Sequence, residues 1–106
     1  TGLGLPAVTA GAEPAWHLFV VRSPRRDELQ AFLRTQGVET LIHYPTPPWQ
    51  QGAYADAGYD GRAWPVSERL HAQVLSLPIG PHLAPAQAEQ VVEACRAAAR
   101  AGLTAA

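Results

Sequence analysis

The sequence predicts a small α+β domain in which about three short, mostly antiparallel strands carry helices packed on one face. Three observations lead there. The chain has 106 residues, 47% apolar and 16% charged, which is the size and composition of one domain with an ordinary core. Two windows, WHLFVVR at 16–22 and VETLIHY at 38–44, are rich in β-branched and aromatic residues, and a third, LSLPI at 75–79, alternates. The stretches between and after them carry apolar residues at helical spacing. The resulting order β-α-β-loop-α-β-α has no internal repeat and suits helices gathered on one side of a small sheet.

Taken in order, residues 1–15 (TGLGLPAVTAGAEPA) are Gly-, Ala- and Pro-rich without periodicity and read as an extended arm or linker, with the domain proper at 16–106. The first strand has apolar residues on both faces: Trp16, Leu18 and Val20 on one, His17, Phe19 and Val21 on the other. Ser23 is placed to cap a helix whose first residue is Pro24, with Asp27 and Glu28 in its positive first turn. Leu29, Phe32 and Leu33 form the inward stripe, and Gly37 ends the helix in a left-handed conformation. In the second strand Val38, Thr40, Ile42 and Tyr44 share one side and Glu39, Leu41 and His43 the other. Residues 45–64 hold three prolines, three glycines and four aromatics, more ring surface than a linker needs, so this loop is expected to cover something. A helix from about Pro65 places Val66, Leu70 and Val74 on one stripe, and the edge-like strand 75–79 follows. The last helix, from about Pro85 to Ala101, turns Ala88, Val91, Val92, Cys95 and Ala99 inward and stops at Gly102.

Charge and cysteine content narrow the function classes. Eight basic and nine acidic residues give a net charge of −1, too balanced to favour nucleic acid or a membrane surface as partner. A single cysteine excludes an intrachain disulfide and a cysteine-rich metal site, and reads as a cytoplasmic chain. All eight basic residues are arginines, so the chain offers no side-chain amine for a Schiff base. The chain has no methionine and no leader-like start, and it reads as part of something longer.

The chemistry-bearing residues each have a plain structural reading beside a functional one. The four histidines, His17, His43, His71 and His82, show no metal-ligand spacing, and no metal site is expected. His43 stands at a strand end that feeds a long loop, where small domains present side chains to ligands, but on its own it also reads as a structural or solvent-facing histidine. His17 among large apolar neighbours reads as a core histidine bonded to backbone. Ser23, Ser67 and Ser76 lack a nucleophile elbow and read as cap, helix and strand residues. Gly2-Leu3-Gly4 lacks the third glycine and the preceding strand of a dinucleotide fingerprint. Cys95, on the buried stripe of an Ala-rich helix, reads as a small core hydrophobe.

Five blocks, Trp16–Arg22, Arg26-Asp27-Glu28-Leu29, Gly37–Pro45, Pro65–Leu70 and Leu75–Pro81, resemble in order and separation the C-terminal domain of the DegT/DnrJ/EryC1/StrS family of pyridoxal-phosphate-dependent sugar aminotransferases. The resemblance spans about residues 5–100. It implies the small domain of a fold-type-I aminotransferase, closing one side of a substrate pocket while a large N-terminal domain binds pyridoxal phosphate through its lysine. The whole enzyme would move an amino group from an amino-acid donor, glutamate by expectation, to a nucleotide-linked keto sugar by ping-pong kinetics. A stand-alone, non-catalytic binding or assembly module with the same fold is the alternative.

The resemblance assigns no catalytic or cofactor-binding residue to this chain. It points to His43 and Tyr44 as a pocket-facing pair, to Trp49 as a stacking surface for a base or sugar, and to His17 as a second pocket candidate. Two positions depart from the family pattern: Trp49 stands where relatives commonly have a second histidine, and Ala84 where they often have a capping threonine before Pro85. The whole enzyme is expected to be a homodimer built chiefly by its large domain. The chain alone is expected to be inactive and mostly monomeric, with weak self-association through an uncovered surface, either the His17/Phe19/Val21 sheet face or the aromatic loop, and with the 1–15 arm lying across it.

Overall fold

The computed structural model describes residues 2–59 and 62–105. Its centre is a two-stranded antiparallel sheet, β1 (Phe19–Arg22) against β2 (Val74–Leu77), with Phe19 opposite Leu77, Val20 opposite Ser76, Val21 opposite Leu75 and Arg22 opposite Val74. Side chains alternate along a strand, so Val21 and Leu75 point to one face and Val20 and Ser76 to the other. The Val21/Leu75 face is fully buried and joins Leu29 and Leu33 of α1 (Arg26–Thr35), Val38, and Ala94, Cys95 and Ala98 of α3 (Pro85–Arg100) in a single core. The sheet face expected to be left uncovered, that of Phe19 and Val21, is therefore the core face.

The sheet holds two strands where three were expected. The first strand starts at Phe19 instead of Trp16 for two reasons. Leu18 would stand opposite Pro78, which has no N–H to donate, and Trp16 takes a left-handed φ of 47° that breaks the extended run. The segment expected as a strand at 38–44 is reduced to one bridge, in which Leu41 and Ser76 exchange backbone hydrogen bonds of 3.2 and 2.7 Å. A longer ladder would need further exchanged pairs at Glu39–Pro78 and His43–Val74. Pro78 lacks the donor, while the Val74 N–H goes to the Leu70 carbonyl and the Val74 carbonyl accepts from Arg26. The predicted alternation holds in burial only from 38 to 41, where Val38 and Thr40 are buried and Glu39 and Leu41 exposed; beyond it Ile42 and His43 are both half-buried and Tyr44, expected on the Val38 side, is exposed. On the far edge Gly4 pairs with Arg22 through two 2.9 Å backbone bonds, and Leu3 packs on the core. The arm is thus tied at Leu3 and Gly4, and residues 5–17 lie exposed.

The helix ends follow the sequence more closely than the starts. Gly37 and Gly102 both adopt positive φ, 75° and 73°, and close α1 and α3 with the same pair of bonds. Val38 N–H reaches the Leu33 carbonyl and Gly37 N–H the Arg34 carbonyl; Leu103 and Gly102 reach Ala98 and Ala99 in the same way. At the start of α1 the expected Ser23 cap is displaced: the helix begins at Arg26, and Ser23 Oγ accepts the Arg25 N–H at 3.0 Å while donating to the Leu103 carbonyl at 3.2 Å.

Two helix faces differ from expectation. In α3 the buried row is Ala94, Cys95 and Ala98 with Val91 partly covered, whereas Val92 is 47% exposed. The small alanines allow α3 to approach α1 closely, and that fixes the rotation. In α2 (Pro65–Gln73) the expected stripe faces outward, with Val66 60% exposed and no side chain buried. Polar anchors hold this helix instead. Arg26, buried at the start of α1, donates to the His71 and Val74 carbonyls at 3.0 and 3.1 Å, capping the negative end of α2. Its neighbour Arg25 does the same for α3, donating to the Gly102 carbonyl at 2.8 Å.

Candidate functional site

His43 follows the Leu41 bridge, so its position is set by the edge of β2. Its Nδ1 lies 2.8 Å from Ser76 Oγ, a hydroxyl on the sheet face opposite the core. The His43–Tyr44 peptide bond is cis, and the two rings meet edge to face with centroids 5.2 Å apart. Beyond them, His71 of α2 donates from Nδ1 to the Tyr44 carbonyl, which ties the start of the 45–64 loop to the helix.

His43, Ser76 and His17 line one cleft of about 360 Å³, with Thr40 and the apolar groups of Leu41 and Pro78 among its walls. His17 is exposed and not the core histidine expected. The left-handed turn at Trp16 carries the chain away from the sheet just before it. Among the described residues no arginine lines this cleft; its charged wall residue is Glu39, which is exposed and 3.8 Å from Arg34. Hydrogen-bonding side chains set in an apolar wall with an acidic rim residue suit a neutral, oxygen-bearing ligand better than a phosphate, which calls for arginine or a run of free N–H groups.

The other two candidates lie apart from this cleft. Tyr44 is 64% exposed and touches the cleft only through its contact with His43. Trp49 stacks on Trp64 at the entrance of α2, centroids 4.5 Å apart and planes 32° from parallel, with His71 edge-on at 6.3 Å and Tyr59 against Trp64 at 5.7 Å. The aromatic loop thus lies along α2, from Trp64 at its start to His71 in its last turn, and one face of the Trp49 indole is already engaged. Cys95 is buried in the core, and burial pushes its thiol above the ordinary value.

Sequence reasoning passed over Ser76, His71, Arg25 and Arg26. For Ser76 a signal existed: a lone hydroxyl within Val-Leu-Ser-Leu must find a partner if that strand is central. The arginine roles depend on where distant helices end, which no local pattern encodes.

The chain is similar to known proteins over most of its length. It is 50% identical over 98 residues to the erythromycin biosynthesis sensory transduction protein EryC1 of Saccharopolyspora erythraea, covering 92% of this chain and 27% of that protein. It is 47% identical over 95 residues to the dTDP-3-amino-3,4,6-trideoxy-alpha-D-glucose transaminase of Streptomyces venezuelae, covering 90% of this chain and 25% of that enzyme. Among solved structures, S. venezuelae DesV in complex with a ketimine intermediate superposes with a TM-score of 0.85 at 46% identity, over 92% of this chain and 26% of that one. The chain therefore spans about a quarter of the length of the relatives it matches. The sequence model of the DegT/DnrJ/EryC1/StrS aminotransferase family matches residues 2–96, nearly the whole chain, and the chain belongs to that family.

Proposed function

We propose that this chain is the small, substrate-facing domain of a pyridoxal-phosphate-dependent aminotransferase that moves an amino group from an amino-acid donor, glutamate by preference, to a nucleotide-linked keto sugar. The observation that carries the reading is the convergence of His17 and His43, from the first and third blocks of the family pattern, on one cleft whose hydrogen-bonding groups are set among apolar walls, with Glu39 at its rim and no arginine among its described lining residues. The nucleotide-sugar substrate in the printed name of the S. venezuelae transaminase supports the substrate class. The residues present do not fit the cofactor's covalent anchor, because the chain contains no lysine. In this proposal the anchor and the amino-transfer chemistry belong to a larger domain of the same protein, a cytoplasmic homodimer in its complete form, and no step is assigned to residues of this chain. What they do is bind: His43 and His17 meet the sugar, Tyr44 flanks His43, and the free face of Trp49 stacks on a sugar or base.

The test is kinetic and uses the complete enzyme. Loss of one hydrogen bond to a neutral ligand weakens binding about three- to tenfold, so His43→Ala raises the keto-sugar KM by that amount with the cofactor absorbance unchanged. Unaltered kinetics would return His43 to a structural role.

A second reading, a non-catalytic binding or assembly module that has kept the aminotransferase tail fold, draws on the sensory transduction role in the printed name of EryC1. A larger domain carrying a Schiff-base lysine in the same reading frame would exclude it.

A further inference from the structure

We infer that Ser76 is a positioning residue that holds His43 in its Nε2–H tautomer, so that the cleft presents a hydrogen-bond donor to a neutral ligand oxygen and not a base. The contact between His43 Nδ1 and Ser76 Oγ, 2.8 Å, can form in two senses. In one, Nδ1–H donates to the hydroxyl oxygen; in the other, the hydroxyl donates to a bare Nδ1. Ser76 is 5% exposed, so its hydroxyl hydrogen is better served by an acceptor inside the protein than by cleft water. The neighbouring Leu41 carbonyl already receives the Ser76 N–H at 2.7 Å, and His43 Nδ1 is the partner within reach of the hydroxyl. The second sense satisfies Ser76 from within the protein, and it leaves the imidazole proton on Nε2.

Nε2 has no hydrogen-bond partner among the described residues, yet no side-chain nitrogen or oxygen of these residues is both sealed from solvent and unpaired. Nε2 therefore opens to the exterior at a ring that lines the cleft. A neutral imidazole held this way offers N–H to a hydroxyl or carbonyl oxygen and has no lone pair available for proton abstraction.

The inference rests on the proposed reading only in calling the cleft a ligand site; the tautomer itself is measured without ligand. Long-range ¹H–¹⁵N correlation spectra of the ¹⁵N-histidine-labelled chain at a pH of about 8, where an ordinary histidine is neutral, identify which ring nitrogen carries the proton. The expected result is His43 with a protonated Nε2 and an acceptor Nδ1, a measurable Nδ1–H population in Ser76→Ala, and return of the single tautomer in Ser76→Thr, which keeps the hydroxyl. A wild-type His43 protonated at Nδ1, or a tautomer unchanged by Ser76→Ala in a chain with a native-like backbone spectrum, overturns the inference. Failure of the His43→Ala kinetics with the tautomer intact would instead remove the ligand-binding reading.

Discussion

Replacing Ala84 by threonine tests whether the start of α3 is as incomplete as the structure makes it. Ala84 already has the extended backbone of a helix cap, φ −68° and ψ 151°. Its carbonyl accepts from Gln87 N–H at 2.9 Å and Ala88 N–H at 3.1 Å, and its N–H donates to Gln87 Oε1 at 2.8 Å. One half of a capping box is therefore in place. The other half needs a side-chain acceptor at position 84, which a methyl group cannot supply. Pro85 has no N–H, and that of Gln87 is partly engaged, so the Ala86 N–H benefits most. The gain falls in the lower half of the range of about 0.5–2 kcal/mol for N-caps, near 1 kcal/mol. α3 places Ala94, Cys95 and Ala98 in the core, so the gain is felt by the whole domain and raises Tm by about 4–8 °C. Thermal and urea unfolding followed by helical circular dichroism would measure it, with Ala84→Val as the isosteric control lacking the hydroxyl. If the threonine variant is no more stable than the valine variant, the cap is not limiting and the argument fails.

Arg26→Ala leaves the His71 and Val74 carbonyls without their buried donor, and since hydrogen bonds to charged groups are worth about 1.5–3 kcal/mol each and overlap here, it should cost about 2–4 kcal/mol in urea unfolding. Arg26→Lys, which lacks the planar fork, should recover only part of that loss. The Cys95 thiol, raised by burial, should alkylate more slowly than a free thiol near pH 8.5. Its linkage has a definite sign. The folded chain keeps the thiol proton to higher pH than the unfolded chain, so stability from this group is complete below the ordinary thiol range and declines as pH rises through the raised folded value. A pH series of unfolding free energies for wild type against Cys95→Ala isolates that slope, and parallel curves would refute it.

Features set by a few adjacent residues were legible in the sequence. Gly37 and Gly102 end their helices because only a residue free to take positive φ closes a helix in that manner, and Cys95 is buried because it shares the stripe of Val91 and Ala98. The alternation of 38–41 was also legible, although the ladder it suggested does not form, since a ladder needs free donors on its partner and Pro78 and Val74 have none to give. The outward face of α2 was not legible. The Val66–Leu70 spacing is that of a buried stripe, and only the distant Arg26 shows that polar contacts hold the helix. For the site, the sequence marked His43 and His17 by place in the chain but could not show that both reach one cleft, because their approach depends on the left-handed turn at Trp16.

The Ser23–Arg26 turn explains how a domain with so small a sheet keeps the cleft in shape. Ser23 and Arg25 grip the C-terminal end of α3 through Leu103 and Gly102, and Arg26 grips that of α2 through His71 and Val74. Each of these bonds joins segments far apart in sequence, at or just beyond the C-terminal end of a helix. The His71 backbone held by Arg26 carries the ring that in turn holds the Tyr44 carbonyl, one residue from His43. His43 is thus fixed from two directions, by Ser76 on β2 and through Tyr44 by α2, and both supports are polar. A substitution at Arg26 should therefore disturb His43 at a distance, whereas core substitutions that spare this turn should lower stability and leave the imidazole where it is.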